Sequence, residues 1–449
     1  MKTQTGQPNQ KTGGIWFLFQ KRFGPLFVLL QTGTFNDNAL KNALIALITF
    51  GGVVFLADLP SAVRVPVAAF IFTGPFLLVC AVAGQIADKI DRGVILRWIK
   101  RVEIGIMILA AIGFWFVNIH ILALALGCMG AQSAFFSPTK NAVLPQWLTD
   151  NELIRGNAIL NGFVFVFVLV GQVIGTLIVL KAGGPKIIAG LLFALAIIGY
   201  IASEFCPPAP APKPDLKIDF NPLTATWNVL KDAFDAPAVL RPMLGIAWFY
   251  GLSTVFVTTF PDYIASAMRF DANVLIIVLV ISTLSILVGS LIVMMIGHLK
   301  IWGPEAIGLS ALGVTGVTLF ITSLIVLPSP THTGETLGTL KEFLANAQTP
   351  LFFATLIGAS VCNGLFVVPL QAMAQRRAEP ARRARLMSAG AVLLNLFVNV
   401  VTFALIGIAA FNFPAKAPFM VIVVLSSVVA AYAIYRTFNP TQHTNYMES

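Results

Sequence analysis

The residues of this chain that could do chemistry lie where charge is least expected. Asp37 falls about halfway along an apolar run, inside Thr34-Phe35-Asn36-Asp37-Asn38-Ala39-Leu40-Lys41-Asn42. A charged side chain at the centre of a bilayer costs roughly 2.5–3.5 kcal/mol on insertion scales. Asp37 and Lys41 are spaced i, i+4, which predicts a pair on one helix face, and Asn38 and Asn42 repeat that spacing. Polar residues this dense cannot all face lipid. Asn36, Asp37, Asn38 and Lys41 are therefore expected to point into a bundle interior. There they either form a polar network that fixes packing or bind a polar or charged headgroup. Lys140 follows Ser137-Pro138-Thr139 toward the end of a fourth apolar span. Pro138 frees backbone carbonyls and can open the helix locally. Lys140 then either snorkels to the interface or turns inward as a cation for a phosphate.

Neutral polar residues recur in the second half. Trp248, Tyr250, Ser253, Thr254 and Thr258 lie in a seventh span, Asn363 and Gln371 in a tenth, and Asn395 and Asn399 in an eleventh. Thr254, Asn363 and Asn395 are taken as candidate substrate contacts, although buried Asn and Thr also serve as helix–helix glue. After the second span comes Gly84-Gln85-Ile86-Ala87-Asp88-Lys89-Ile90-Asp91-Arg92-Gly93. It resembles the loop signature of the major facilitator superfamily, in which glycine, aspartate and basic residues recur at this spacing, with Asp91 and Arg92 departing from the usual order. A tight turn there calls for glycine. Asp88 can sit at a helix terminus or pair with a basic residue of a neighbouring helix. Gly84, Asp88, Arg92 and Gly93 thus form a candidate gating loop, set against the plainer reading of a solvated loop rich in positive charge.

Other chemistries find no support. Cys80, Cys128, Cys206 and Cys362 lack metal-ligand spacing and read as packing residues; His120, His298, His332 and His443 are isolated. No nucleophile triad, phosphate loop or pair of acids appears, so neither an enzyme nor a cofactor is expected.

The elements that position these residues are membrane helices. Only 11% of the 449 residues are charged and 57% are hydrophobic, with mean hydropathy +0.86; soluble domains carry roughly 25% charged residues. Runs such as Phe163–Leu180 and Val274–Ile296 are continuous and apolar, as spanning helices require and barrel strands do not. The expected spans are 25–50, 66–86, 103–118, 121–141, 157–180 and 186–204, then 240–261, 273–296, 304–327, 350–373, 387–410 and 417–436. This predicts an all-α polytopic membrane protein of the major facilitator fold, with twelve helices in two six-helix bundles. The bundles are 25–204 and 240–436, with tails 1–24 and 437–449 and a linker at 205–239. The linker opens with Pro207-Pro208-Ala209-Pro210-Ala211-Pro212 and continues through mixed charges into an amphipathic stretch bearing Trp227.

Charge gives the orientation. The formal charge is +10, and the basic residues sit in short connections rather than in a nucleic-acid-binding patch. Lys89, Arg92, Arg97, Lys100 and Arg101 follow the second span. Arg376, Arg377, Arg382, Arg383 and Arg385 follow the tenth. The other side holds only scattered charges such as Arg64, Lys181, Arg269, Lys341 and Lys416, so both termini are placed in the cytoplasm. The first span reads as an uncleaved helix rather than a signal peptide. Weak similarity between the halves agrees with a repeat: Phe135-Phe136-Ser137-Pro138 against Phe366-Val367-Val368-Pro369, and Gly84-Gln85-Ile86 against Gly297-His298-Leu299.

At Thr34–Leu44 the chain resembles one family in particular, the lysophospholipid transporters of Gram-negative bacteria. It is also similar to the transporter halves fused to acyltransferase and acyl-carrier-protein synthetase domains. Gly84–Gly93, Ser137-Pro138-Thr139-Lys140-Asn141 and Val367-Val368-Pro369-Leu370-Gln371 extend the resemblance across both halves. It implies movement of lysophospholipid, chiefly lysophosphatidylethanolamine, from the outer to the inner leaflet of the bacterial inner membrane by alternating access. Re-acylation would fall to a separate acyltransferase or acyl-carrier-protein synthetase on the cytoplasmic side. Asp37 and Lys140 match charged positions of the family pattern. Some members carry an arginine in the seventh span, whereas Gly251–Pro261 here holds no charge. The expected partners are the lysophospholipid and membrane lipids, with no nucleic acid. Two rivals stand beside this reading: a proton-coupled exporter of small amphiphilic compounds using Asp37, and a membrane scaffold for a lipid enzyme.

Overall fold

The computed structural model describes residues 20–56, 58–148, 150–296, 304–378, 383–411 and 413–439. Expectations for Gly297-His298-Leu299, Arg382, His443 and most of the two tails lie outside the described residues. Helices dominate. The first half holds α1 (Gly24–Thr49), α2 (Ser61–Lys89), α3 (Arg92–Trp115), α4 (Ile119–Trp147), α5 (Asp150–Val179) and α6 (Gly184–Glu204). A short helix, α7 (Pro222–Phe234), lies in the linker. The second half holds α8 (Pro237–Asp262), continued by a π-helical turn at Tyr263–Met268, then α9 (Ala272–Met295), α10 (Pro304–Val326), the short α11 (Leu340–Ala345), α12 (Thr349–Arg377), α13 (Arg383–Ala410) and α14 (Ala417–Phe438). Apart from α7 and α11, these elements fall on the twelve expected spans.

Ten of the twelve long helices are apolar enough to cross a membrane; α1 and α3 are the exceptions. The polar cluster Thr34–Asn42 dilutes α1, and Arg97, Lys100, Arg101 and Glu103 dilute α3. A helix that lipid would reject must be enclosed by other helices. Accordingly α1 packs on α5 and α6, whereas α3 buries Lys100 and Glu103 on the face it packs on α4 and α6 and leaves an apolar face with Trp98, Val102, Ile108 and Ile112 exposed. Gly171 and Gly175 allow the closest of these approaches. A methyl added at Gly171 would stand 2.8 Å from the Phe35 carbonyl oxygen, and one at Gly175 would overlap that of Ala39.

Each half buries its own core. One cluster joins residues of α1 to α6, such as Leu44, Met107, Leu126 and Leu192; another joins α8 to α14, with Phe260, Val278, Ile321, Phe352 and Phe419. The halves meet along α2–α13 and α5–α9. At mid-membrane the Thr73 hydroxyl donates to Asn399 Oδ1 (3.0 Å) and Asn399 Nδ2 donates to the Thr73 carbonyl (3.2 Å), one turn from the Phe70–Phe403 ring contact at 4.6 Å. On the side that holds the linker, hereafter the linker face, the halves close in one apolar cluster. Cys80 of α2 and Ala134 of α4 pack there with Met243 of α8, Ala374 of α12 and Leu393 of α13.

Three sequence expectations are corrected. Helix α3 begins at Arg92, not near residue 103, because Asp91 caps it: its carboxylate accepts from the Val94 amide at 3.1 Å. Lys100 therefore lies inside a helix and is buried instead of lying in a solvated loop. Gly84 is not in a turn; α2 runs on to Lys89, and nothing stands within 4 Å of a methyl placed there.

Candidate functional site

On α1 the exposure repeats with a helical period. Gly33, Thr34, Asp37, Asn38 and Lys41 are half-buried, while Phe35, Asn36, Ala39, Leu40 and Asn42 are buried. Residues at i, i+3, i+4 and i+7 share one face, so Thr34, Asp37, Asn38 and Lys41 form a polar stripe. Helix α4 presents a matching one: Ser133, Ser137 and Lys140 are half-buried. The two stripes meet where the Ser133 hydroxyl donates to Asp37 Oδ2 at 3.0 Å. Asp37 Oδ1 is buried and has no hydrogen-bond partner among the described residues.

The cations of these stripes lack carboxylate partners among the described residues. The expected Asp37–Lys41 ion pair is not formed. The Lys41 ammonium instead donates weakly to Asn38 Oδ1 (3.4 Å) and lies 5.8 Å from the Phe72 ring centre. Lys140 makes no hydrogen bond or ion pair with any described residue. It is at i+7 from Ser133, so it lies on the same face of α4, about 10 Å nearer the linker face. Along the membrane normal the order is thus Lys140, then Ser133–Asp37, then Lys41.

Asn36 does not join this group. One residue of helix rotation turns it toward α3 and α6, where Nδ2 donates to Glu103 Oε1 (3.0 Å) and to the Leu192 carbonyl (3.2 Å). Glu103 in turn accepts from Lys100 Nζ at 2.7 Å, with both side chains only 1% exposed. Gly33 and Gly199 make room for the ammonium: a methyl added at either would stand 3.0 Å from Lys100 Nζ. Sequence reasoning missed this network. The available signal was the i, i+3 spacing of Lys100 and Glu103 at the start of an apolar run.

A small cavity of about 90 Å³ lies chiefly in the second half, toward the side opposite the linker. Ser253, Phe256 and Phe260 of α8, Thr283 of α9 and Asn363 of α12 line it, and Gln172 of α5 supplies the wall from the first half. Of the candidate residues only Asn363 borders this cavity. Thr254 bonds back to the Tyr250 carbonyl (2.8 Å) and Asn395 to that of Ala391 (2.8 Å), as Asn38 does to that of Thr34 (2.9 Å), and neither Thr254 nor Asn395 lines this cavity. Gln172 follows Gly171, which packs against Phe35 and Asn38 of α1.

The candidate gating loop is engaged on two sides. Arg92 donates to Asp88 Oδ1 (3.2 Å) and to the Ala87 carbonyl (3.0 Å), joining the ends of α2 and α3. The linker lies over the same turn. The Arg92 amide donates to the Ala209 carbonyl (2.9 Å), the Ala209 amide to Asp91 Oδ2 (3.1 Å), the Lys213 amide to the Asp88 carbonyl (3.0 Å) and the Asp219 amide to Gln85 Oε1 (2.8 Å). Gly93 permits this approach: a methyl there would stand 2.7 Å from the Pro207 carbonyl oxygen.

Comparison with known proteins agrees with this architecture. The family model of the Major Facilitator Superfamily matches residues 67–335. The chain belongs to the major facilitator superfamily. Solved transporter structures share its fold: a mutant form of the nucleoside transporter NupG superposes with a TM-score of 0.61, 14% identity and coverage of 91% of this chain and 99% of that one. An auto inhibited POT family peptide transporter gives 0.63 at 12% identity, covering 94% and 98%. The chain is also similar to the lysophospholipid transporter LplT of Enterobacter sp. (strain 638), 25% identical over 364 residues that cover 76% of this chain and 77% of the relative. The Escherichia fergusonii protein of the same name is 24% identical over 377 residues, covering 80% and 81%. This superfamily member is a multi-pass membrane protein.

Proposed function

We propose that the chain carries lysophospholipids, such as lysophosphatidylethanolamine, from the outer to the inner leaflet of the bacterial inner membrane by alternating access. The observation that carries this reading is the stripe of α1 and α4. Among the described residues it offers two ammonium groups without carboxylate partners, on either side of a carboxylate oxygen without a donor. A headgroup with one phosphate and one ammonium complements that set: phosphate to Lys140 or Lys41, ammonium to Asp37 Oδ1. The headgroup is the part of an amphiphile that needs a protein path, because hydrocarbon penalises it. Similarity to the LplT relatives over most of both chains supports the substrate class.

Excess Lys and Arg on the linker face supports cytoplasmic placement of that face and of both termini. The apolar cluster around Cys80, Met243 and Leu393 would then be the cytoplasmic seal, and the Asp88–Arg92 turn with its linker the part that rearranges when the seal opens. Re-acylation by a separate acyltransferase or acyl-carrier-protein synthetase would follow delivery. Asp37 Oδ1 favours one second reading, a proton-coupled exporter of small amphiphiles, because an unpartnered buried carboxyl oxygen can hold a proton. Uptake of labelled lysophosphatidylethanolamine into spheroplasts separates them. Uptake should require the gene and fall in Asp37→Asn and Lys140→Gln. Equal uptake with and without the gene removes the lipid reading, and uptake of a drug-like amphiphile in its place establishes the exporter.

A further inference from the structure

The linker helix α7 carries an unusual surface. One side rests on the protein: Ala225, Leu230 and Ala233 are buried, and Leu230 belongs to the apolar cluster that closes the linker face. The helix touches α2, α13 and α8, so it spans the seam between the halves where α2 meets α13. The rest of α7 is itself divided. Leu223, Trp227 and Phe234 form one exposed edge, 77%, 62% and 51% exposed, with Phe220 just before them at 72%. Thr224, Asn228, Lys231 and Asp235 form the other exposed edge. These follow i, i+4, i+11 and i, i+4, i+7, i+11 spacings, so each is a true helix stripe.

From this three-way division we infer that α7 docks on the membrane surface, with its apolar edge sunk into the boundary between headgroups and acyl chains. Water does not favour large apolar side chains crowded on one short segment, whereas a lipid boundary accepts them, Trp above all. Electrostatics is not the source of the attachment. Lys213, Lys217, Lys231 and Arg241 are balanced along the segment by Asp215, Asp219, Asp232 and Asp235. The occupant is therefore lipid of any headgroup charge. The inference is independent of the transported substrate.

The test uses the full chain in vesicles, with a nitroxide at Trp227→Cys or at Asn228→Cys. Both are made with Cys128→Ser, since Cys80 and Cys206 are buried and Cys362 is half-buried. The label at 227 should be relaxed several-fold more by oxygen than by a water-soluble nickel chelate, and the label at 228 should show the reverse. Leu223→Cys and Thr224→Cys repeat the comparison one turn earlier, in case Trp227 is needed for folding. The pattern should be the same in pure phosphatidylcholine and in phosphatidylethanolamine with phosphatidylglycerol. Two labels equally exposed to nickel, two labels equally sheltered from it, or docking confined to the anionic vesicles would each overturn the inference.

Discussion

Replacing Glu103 by Gln probes the buried network behind α1. The substitution keeps side-chain volume and an oxygen for the Asn36 amide, and it replaces the charged oxygen facing Lys100 with an amide NH2. Lys100 Nζ is 2.7 Å from Glu103 Oε2, with 1% exposure on each side chain, so solvent cannot replace the lost partner. Breaking a buried pair from one side costs about 3–5 kcal/mol, whereas replacing both partners is often neutral. Glu103→Gln is therefore expected to destabilise the purified protein by about 3–5 kcal/mol. The double variant Lys100→Met/Glu103→Gln should recover most of that loss. The assay is unfolding in detergent micelles, following tryptophan fluorescence for wild type, single and double variants side by side. A double variant no more stable than the single one would refute the reasoning, as would a single variant that unfolds with wild type.

Other predictions concern the stripe and the linker. Lys140→Gln removes one charge-assisted contact worth about 1.5–3 kcal/mol, so KM for lysophospholipid uptake should rise by one to two orders of magnitude, with Lys140→Arg losing less. Gly93→Ala places a methyl 2.7 Å from the Pro207 carbonyl oxygen. It should lift the linker from the Asp88–Arg92 turn and speed trypsin cleavage after Lys217, since Pro214 protects the bond after Lys213. The Asp219 carboxyl is held below its ordinary value by the Thr224 hydroxyl first and the Asn221 amide second. A depressed folded value means that its contribution is complete above the unfolded value and is lost as pH falls through the folded one. Cleavage of the linker by an acid protease should therefore accelerate as pH drops through and below the usual carboxylate range, and Asp219→Asn should show that fast cleavage at higher pH.

The helices were legible in the sequence because a bilayer imposes length and apolarity on each span separately. The start of α3 was not, because Arg97, Lys100 and Arg101 look like loop charges until a partner for Lys100 is known. Glu103, three residues on, is that partner, and the room for their pair at Gly33 and Gly199 depends on packing between helices. Asp37 and Asn36 differ by one residue in sequence and by about 100° around the helix. Density of polar residues could not separate them, whereas the period of exposure along α1 does. Asn395 and Thr254 look like site residues by type, but residue type alone could not say which polar side chains border the cavity, and of the three candidates in the second half Asn363 does. Ser133 and Phe72 entered only with the structure, since nothing local marks a serine or a phenylalanine as the neighbour of a buried charge.

The central claim is that a headgroup passes between α1 and α4 beside Asp37. A lysophosphatidylethanolamine analogue with a photoreactive group at its amine tests this directly in membranes, with peptide mapping after illumination. Labelling should fall on the α1 segment around Thr34–Lys41 and the α4 segment around Ser133–Lys140, and unlabelled lysophospholipid should compete it away. Labelling confined to lipid-facing positions such as Leu124 or Val400, unchanged by competitor, would contradict the account.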